Sequence, residues 1–98
     1  MALEVHFAGA YGEVVRVVDD ISLGGLRISG PIPAVAGEKV DLALRLPHLS
    51  SDVKVTGTVV WVEPSAAGDH ATVGIRFEDL DPANHVMLSH IFRRGLPE

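Results

Sequence analysis

The 98-residue chain contains no cysteine. That absence excludes disulfide bridges and cysteine-ligated zinc sites, and it fits a reducing compartment, so we expect a cytoplasmic protein. Positive charge is also scarce, because eight Lys and Arg residues stand against thirteen Asp and Glu residues and the net charge is −5. A molecule with this charge repels polyanions, so we expect no binding to nucleic acid polymers.

Aromatic residues and long apolar runs are rare as well. Three Phe, one Tyr and one Trp are few for a barrel that stacks single-stranded nucleic acid on its surface. The apolar run from Val59 to Val62 is far shorter than the roughly 20 residues of a membrane-spanning helix. The first residues lack the basic patch and long apolar stretch of a signal peptide. We therefore expect no membrane span and no export.

Valine is what the sequence has in abundance. Fourteen valines and an apolar fraction of 47% favour a folded, sheet-rich domain, because β-branched side chains pack well on a pleated surface. The length suits one domain over residues 1–98. A mean hydropathy of +0.28 is high for so small a domain and predicts apolar surface left over for a protein partner.

Alternation of apolar and polar residues predicts six strands. The clearest case runs from Val40 to Leu46, where Val and Leu alternate with Asp41, Ala43 and Arg45. The predicted strands are Leu3–Phe7, Val14–Ile21, Leu26–Ser29, Val40–Leu46, Val53–Val62 and Val73–Phe77. Gly- and Pro-rich breaks separate them at the spacing of a small sandwich or barrel. Six strands are enough for a closed barrel.

The fifth strand also predicts side-chain directions. Val55, Val59 and Trp61 share one face, so Trp61 is expected to anchor the core rather than to stack on a base. Val60 and Val62 fall on the opposite face, where we expect them to be covered by a partner.

An α-helix is predicted after the last strand. Asp81 and Pro82 form a typical N-cap and first-turn pair, and the two basic residues Arg93 and Arg94 complement the helix dipole before Gly95 ends the helix. The apolar face of this helix suits a partner surface. The interface residues predicted for a protein partner, or for a second copy in a homodimer, are Val60, Val62, Leu88 and Phe92.

No pattern typical of an enzyme or a metal site is found. His85 and His90 are five residues apart and do not share a helix face, so none of the five histidines is expected to bind metal. Ser65, Asp69 and His70 lie in one loop, but no strained nucleophile turn or oxyanion cradle accompanies them. Gly24-Gly25 is not followed by the Lys of a phosphate-binding loop. We expect no catalysis, no metal and no enzymatic cofactor.

The most informative segment lies between the second and third strands. Asp20, Ser22 and Gly25 have the spacing Asp-x-Ser-x-x-Gly inside the string Asp-Ile-Ser-Leu-Gly-Gly-Leu. A Trp-bearing strand and the string Val-Gly-Ile-Arg-Phe, residues 73–77, follow later in the chain. In these features the chain resembles the PilZ family over nearly its whole length. The resemblance implies a six-stranded antiparallel β-barrel with a C-terminal α-helix, in a family of which many members bind the bacterial second messenger cyclic di-GMP.

The resemblance also implies a set of ligand residues. Asp20 can accept from a guanine edge, Ser22 can bond a base or phosphate, and Gly25 lets the backbone approach closely. The family's other half-site is an Arg-x-x-x-Arg motif upstream of the first strand, which this sequence does not contain. The cations that would have to replace it are Arg16, Arg27 and Arg76. Arg16 is expected to share a strand face with Asp20.

Three functions remain open at this point, of which the least favoured is an unrelated small barrel that binds single-stranded nucleic acid, because the chain has only five aromatic residues and a negative net charge. Without the arginine pair, Asp20 and Ser22 are expected to satisfy backbone donors of the turn, and Gly25 to adopt a positive φ. The favoured function is then a non-enzymatic bacterial signalling adaptor of the PilZ type that contacts a protein in motility, pilus or envelope regulation, with weak or no cyclic di-GMP binding. The alternative is a genuine cyclic di-GMP receptor that uses non-standard arginines.

Overall fold

Six β-strands account for most of the described chain. The computed structural model describes residues 3–22, 24–45, 52–66 and 68–78, together with Pro82, Ala83, Val86 and Ser89. The strands are β1 Glu4–Gly9, β2 Gly12–Ser22, β3 Gly25–Gly30, β4 Lys39–Arg45, β5 Val53–Pro64 and β6 Ala71–Glu78. Each coincides with a strand predicted from the alternation of apolar and polar residues. That pattern therefore located all six elements.

The strands form a closed antiparallel barrel in the order β1-β2-β3-β6-β5-β4. Closure comes from the pairing of β4 with β1, where Glu4 faces Arg45 and Phe7 faces Leu42. A closed barrel leaves no unpaired strand edge on which another chain can add. The mostly β fold expected from the sequence, a six-stranded antiparallel barrel, is confirmed.

The barrel interior is filled almost entirely by aliphatic side chains. Fourteen apolar residues are buried, and none of the described polar or charged residues is buried. Phe7 and Phe77 are the two aromatic residues in this core. The remaining members are Leu3, Val5, Leu26, Ile28, Val40, Leu42, Leu44, Val53, Val55, Val59, Val73 and Ile75. Chemistry that needs polar groups is therefore confined to the outer wall and the ends of the barrel.

Two register shifts decide which side chains reach that outer wall. In β5 the pairing with β6 passes from Val59 opposite Ile75 to Trp61 opposite Gly74, so Val60 is an extra residue. Such a bulge reverses the inward and outward alternation beyond it. Trp61 consequently points outward and is 41% exposed, whereas Val62 packs against the core. The sequence-based expectations of a buried Trp61 and an outward Val62 were both wrong for this reason, and Val60 is exposed as expected.

A second shift lies in β2. The pairing with β3 passes from Val18 opposite Ile28 to Asp20 opposite Arg27. Val18 packs against the core, while Asp20 is exposed on the outer wall. Arg16 keeps the direction of Val18, so the expectation that Arg16 and Asp20 share a strand face was wrong.

The segment between β3 and β4 closes one end of the barrel. Ile32 and Ala34 pack against the core. The Glu38 carboxylate ties this segment to the β1–β2 turn, because it accepts hydrogen bonds from the Val35 amide at 2.7 Å and from the Ala10 amide at 3.2 Å.

The predicted C-terminal helix lies largely outside the described residues. Pro82, Ala83, Val86 and Ser89 have helical backbone. Leu88 and Phe92, which were predicted to form an interface, lie outside the described residues, and the full extent of the helix stays a prediction. Across the parts of the chain that are described, no helix has both the length and the apolar character needed to cross a membrane.

Truncating the core aromatic at the closure of the barrel should destabilise the fold strongly. Phe7 is fully buried, so Phe7→Ala removes apolar contacts and leaves a cavity, which costs about 3–5 kcal/mol. Tyr11→Ala is the matched control, since Tyr11 is 64% exposed and its loss should change stability by no more than about 0.5 kcal/mol. Urea unfolding of both variants measures this difference, and equal losses would contradict the assignment of the core.

Candidate functional site

A groove of about 300 Å³ lies on the outer wall beside the turn between β2 and β3. It is formed by the last residues of β2, the first residues of β3, the bulge of β5 and the middle of β6. Five of the six ligand residues predicted from the sequence line it, namely Asp20, Ser22, Gly25, Arg27 and Arg76. The barrel thus brings together a motif and two arginines that are up to 56 positions apart in the chain.

Strand register arranges the groove in two parallel rows. In one row Asp20 lies opposite Arg27, Arg27 opposite Gly74, and Gly74 opposite Trp61. In the other row Ser22 lies opposite Gly25, Gly25 opposite Arg76, and Arg76 opposite Thr58. Each row crosses the same four strands, β2, β3, β6 and β5. Gly74 in the first row and Gly25 in the second carry no side chain, so the floor of the groove lies close to the backbone at these two positions.

Ser22 is engaged in the turn itself. Its Oγ accepts a hydrogen bond from the Gly24 amide at 3.2 Å, and the Gly24 carbonyl in turn accepts one from the Phe77 amide at 2.9 Å. These bonds fix the β2–β3 turn against the end of β6. The local role expected for Ser22 is therefore present in the structure.

Gly25 is required because the backbones of β3 and β6 approach each other closely at this position, not because the turn needs a special backbone conformation. It is not among the positive-φ glycines, which in the described residues are Gly12, Gly30, Gly37 and Gly68. A Cβ at position 25 would instead overlap the Ile75 carbonyl oxygen of β6. The expectation of a positive φ at Gly25 was therefore wrong, and the tight contact between β3 and β6 is the physical reason for glycine here.

Asp20 and Arg27 are the free polar groups of the groove. Both are exposed and lie opposite each other on neighbouring strands. Neither side chain makes a hydrogen bond or ion pair with any residue that the structure describes. The sequence-based expectation that Asp20 satisfies turn donors is thus not met within that part of the chain, and its carboxylate is available to an external donor.

Arg76, in contrast, already has a partner. Its Nη2 donates to Glu78 Oε1 at 3.0 Å, and Thr58 Oγ1 donates to the same oxygen at 2.9 Å. The hydrogen bonds from Arg76 and Thr58 lower the pKa of the Glu78 carboxyl below its ordinary value. An anionic ligand at Arg76 would have to compete with the Glu78 carboxylate for the guanidinium, or share the guanidinium with it.

Arg16 lies away from the groove. Its guanidinium donates to the Val15 carbonyl at 2.8 Å and to the Pro31 carbonyl at 2.6 Å. The side chain covers Gly30, where a Cβ would come within 2.7 Å of Arg16 Nε. Arg16 therefore holds the segment after β3 onto β2, and the structure does not bring it together with the other predicted ligand residues.

The groove residues that were not predicted as ligand residues from the sequence include two on β5. Val60 and Trp61 form the β5 wall, and the indole of Trp61 covers Gly74 so closely that a Cβ there would overlap its Cε2, Nε1 and Cζ2 atoms. The sequence did contain a sign that Trp61 faces outward. Residues 59–62, Val-Val-Trp-Val, break the alternation of apolar and polar residues that precedes them. A broken alternation in a long strand is what a bulge produces.

Comparison with known proteins identifies the domain type. The PilZ domain profile matches residues 1–94, which is nearly the whole chain. The chain belongs to the PilZ domain family. No curated protein sequence is significantly similar to it.

Solved structures with the same fold include other PilZ domains. The PilZ domain of Escherichia coli YcgR, solved with c-di-GMP, has a TM-score of 0.74 and 12% identity over 95% of this chain and 80% of its own. Bacillus subtilis inhibitor of motility, MotI/DgrA, has a TM-score of 0.74 and 17% identity over 96% of this chain. This chain spans 47% of the MotI/DgrA chain, about half its length. At these identities the likeness shows a shared fold.

The arginines within these 98 residues do not form the Arg-x-x-x-Arg half-site that the family resemblance led us to look for. Within the 98 residues no two arginines are four positions apart, so the Arg-x-x-x-Arg half-site is absent from this sequence. The groove cations that the structure describes are Arg27 and Arg76, which come from β3 and β6.

Histidine pairs of this PilZ domain lie elsewhere on the surface. His6 contacts Glu13 at 3.1 Å, and His70 contacts Asp69 at 3.1 Å. The hydrogen bond with His70 lowers the pKa of Asp69. Among the described residues no three His, Cys, Asp or Glu side chains converge as metal ligands would.

Adding one methyl group at Gly25 should disrupt the floor of the groove. The Cβ of Gly25→Ala would overlap backbone, which cannot be relieved by a side-chain rotation, so we expect a loss of roughly 1–3 kcal/mol. Gly24→Ala is the matched control, because its Cβ would meet Ser22 Oγ at an ordinary 3.8 Å. Chemical denaturation of both variants tests this difference. If Gly25→Ala were as stable as Gly24→Ala, the close contact with β6 would be refuted.

Glu78 should contribute to the acid sensitivity of the fold. Its folded pKa is lowered, so its stabilising effect is complete above the unfolded pKa, near 4.5, and is lost as pH falls through the folded pKa. Glu78→Gln should therefore flatten the decrease in melting temperature below about pH 4.5. Glu63→Gln, at an exposed carboxylate of β5, serves as the control. Identical acid profiles for wild type and Glu78→Gln would show that the bonds with Arg76 and Thr58 do not hold in solution.

Proposed function

We propose that this PilZ domain is a non-enzymatic bacterial signalling adaptor that acts through protein contacts and whose groove binds cyclic di-GMP weakly. The observation that carries the proposal is the convergence of Asp20, Arg27 and Arg76 on one outer groove beside the Asp-x-Ser-x-x-Gly turn. PilZ domains are generally binding or adaptor domains rather than catalytic ones. The likeness to YcgR, solved with c-di-GMP, and to an inhibitor of motility supports the signalling context.

Weak binding follows from the arginine content of the groove. Cyclic di-GMP carries two phosphates, and a charge-assisted hydrogen bond to a phosphate contributes about 1.5–3 kcal/mol. Without the family's arginine pair, affinity should be roughly two to four orders of magnitude lower than in a domain that has it. Arg76 compensates only in part, because Glu78 already accepts its hydrogen bond.

A ligand in the groove and a protein on the β5 wall would compete for the same surface. Val60 is 43% exposed and lines the groove next to Trp61. A partner that covers Val60 would therefore narrow access to Asp20 and Arg27 from that side. Because the two surfaces overlap, bound nucleotide would weaken the binding of the protein partner, and bound partner would weaken the binding of the nucleotide. The nucleotide concentration would then control the protein contact.

The alternative is a genuine cyclic di-GMP receptor that uses non-standard arginines. It is favoured by one specific observation, which is that Arg27 has no partner among the described residues and lies opposite Asp20. In that case Arg27 and Arg76 would replace the missing pair.

Calorimetric titration of the domain with cyclic di-GMP separates the two functions. We expect weak binding that is abolished by Asp20→Ala, with the YcgR PilZ domain as the positive control. Asp41→Ala, an exposed carboxylate on β4, should leave the affinity unchanged. Affinity equal to that of YcgR would establish the receptor alternative. Heat that is insensitive to Asp20→Ala would remove the groove as the nucleotide site.

A second prediction concerns the protein contact. If Val60 forms part of a surface for a second copy of the chain, Val60→Glu should abolish self-association, because it places a charge in an apolar contact. Sedimentation velocity at several concentrations measures this for wild type and Val60→Glu, with Val15→Glu as the control on β2, where Val15 is also exposed. A wild-type chain that stays monomeric at all concentrations would exclude the homodimer and leave a different protein as the partner.

A further inference from the structure

The single tryptophan of the chain occupies an unusual place. The fourteen-residue core contains no tryptophan, although burying an indole would remove the largest apolar area from water. The bulge at Val60 instead turns Trp61 onto the outer wall, where 41% of it remains exposed. An exposed tryptophan in a groove that also holds free polar groups suits contact with a ligand better than packing alone.

The indole has one covered face and one free face. A Cβ at Gly74 would come nearest to Trp61 Cε2, and then to two of the ring atoms bonded to it, Nε1 and Cζ2. A ring that met Gly74 with its edge would present Nε1 or Cζ2 before the recessed Cε2, so the ring lies across Gly74. Glycine at position 74 is what allows the ring to lie this low. Trp61 is nevertheless 41% exposed and lines the groove, so the part of the ring that Gly74 does not cover is accessible there. A flat, supported and solvent-facing ring is suited to stack on a planar heterocycle.

The neighbours of Trp61 in its row supply the other groups that a nucleotide needs. The row continues from Gly74 to Arg27 and then to Asp20, so one cation and one carboxylate follow the aromatic ring on successive strands. Strands about 4.8 Å apart place Trp61 and Asp20 about 14 Å from each other at the backbone. That span accommodates a base on the ring, a phosphate at Arg27 and a donor edge at Asp20.

We propose that Trp61 is a base-stacking platform, which together with Arg27 binds a purine nucleotide in place of the missing arginine pair. The purine stacks on the free face of the indole, and the guanidinium of Arg27 donates to the phosphate. Arg27 is the better cation for this role than Arg76, whose guanidinium is held by Glu78. The inference rests on the proposed cyclic di-GMP site and names a ligand residue that its motif does not include.

The protein carries its own reporter for the test, because Trp61 is its only tryptophan. Titration with cyclic di-GMP should quench the tryptophan fluorescence of the wild-type chain, since a stacked base contacts the ring directly. GMP should quench at higher concentration, and CMP at the same concentration should quench less, because a smaller ring overlaps the indole less. Quenching should follow the same binding curve as the calorimetric heat.

Variants at position 61 give an independent measure by calorimetry. Trp61→Leu keeps apolar cover on Gly74 but removes the ring, and the affinity for cyclic di-GMP should fall roughly tenfold. Trp61→Phe should restore part of that loss, because it retains an aromatic face. Tyr11→Leu, which removes the 64%-exposed aromatic outside the groove, should leave the affinity unchanged. Melting curves without ligand verify that each variant is folded.

The outcomes distinguish this inference from the proposed function. If calorimetry shows binding that depends on Asp20 while the tryptophan emission and Trp61→Leu show no effect, the platform is refuted and the nucleotide site stands. If wild type shows no binding at millimolar cyclic di-GMP, the nucleotide site and the platform both fall. If a folded Trp61→Leu binds nucleotide as wild type does but no longer self-associates, Trp61 is a protein-contact residue and the platform is overturned.

Discussion

One extra residue in β5 determines the chemistry of the outer wall. Because Val60 has no counterpart in β6, the side chains beyond it exchange faces, and Trp61 leaves the interior while Val62 enters it. The cost of exposing an indole is partly offset by its contact with Gly74, which removes one face of the ring from water. The groove contains an aromatic surface only because Val60 is an extra residue in the pairing of β5 with β6.

The bulge in β2, between Val18 and Asp20, divides this strand into two parts with different roles. Before Val18 its even-numbered residues face inward, and from there Arg16 donates to the Pro31 carbonyl of the segment after β3 and to the Val15 carbonyl of β2. Beyond the bulge Asp20 faces outward beside Arg27. A regular strand would have sent both residues to the same side. The irregularity therefore separates a cation that stabilises the barrel end from a carboxylate that is free to bind.

Within the Asp-x-Ser-x-x-Gly motif, the two residues that shape the turn differ from the one whose side chain stays free. Ser22 bonds the Gly24 amide, and Gly25 permits contact with the Ile75 carbonyl, so both define the shape of the turn. Asp20 makes no such bond within the described residues. The turn accounts for Ser22 and Gly25, and the Asp20 carboxylate is left free of it. Because the chain has a net charge of −5, it repels a phosphate overall. Binding of a phosphate in the groove would therefore depend strongly on the two groove arginines.

The sequence alone determined the fold class, the six strands and the motif, because alternation with a period of two and turn residues are local properties of the chain. It also predicted that Asp20, Arg27 and Arg76 belong to one site, although only through a resemblance to PilZ domains. Tertiary structure decided the facing of Trp61, Val62 and Arg16, since a bulge arises from pairing with a neighbouring strand and not from the strand itself. The role of Gly25 was likewise decided by a backbone atom 50 positions away, which no local pattern encodes.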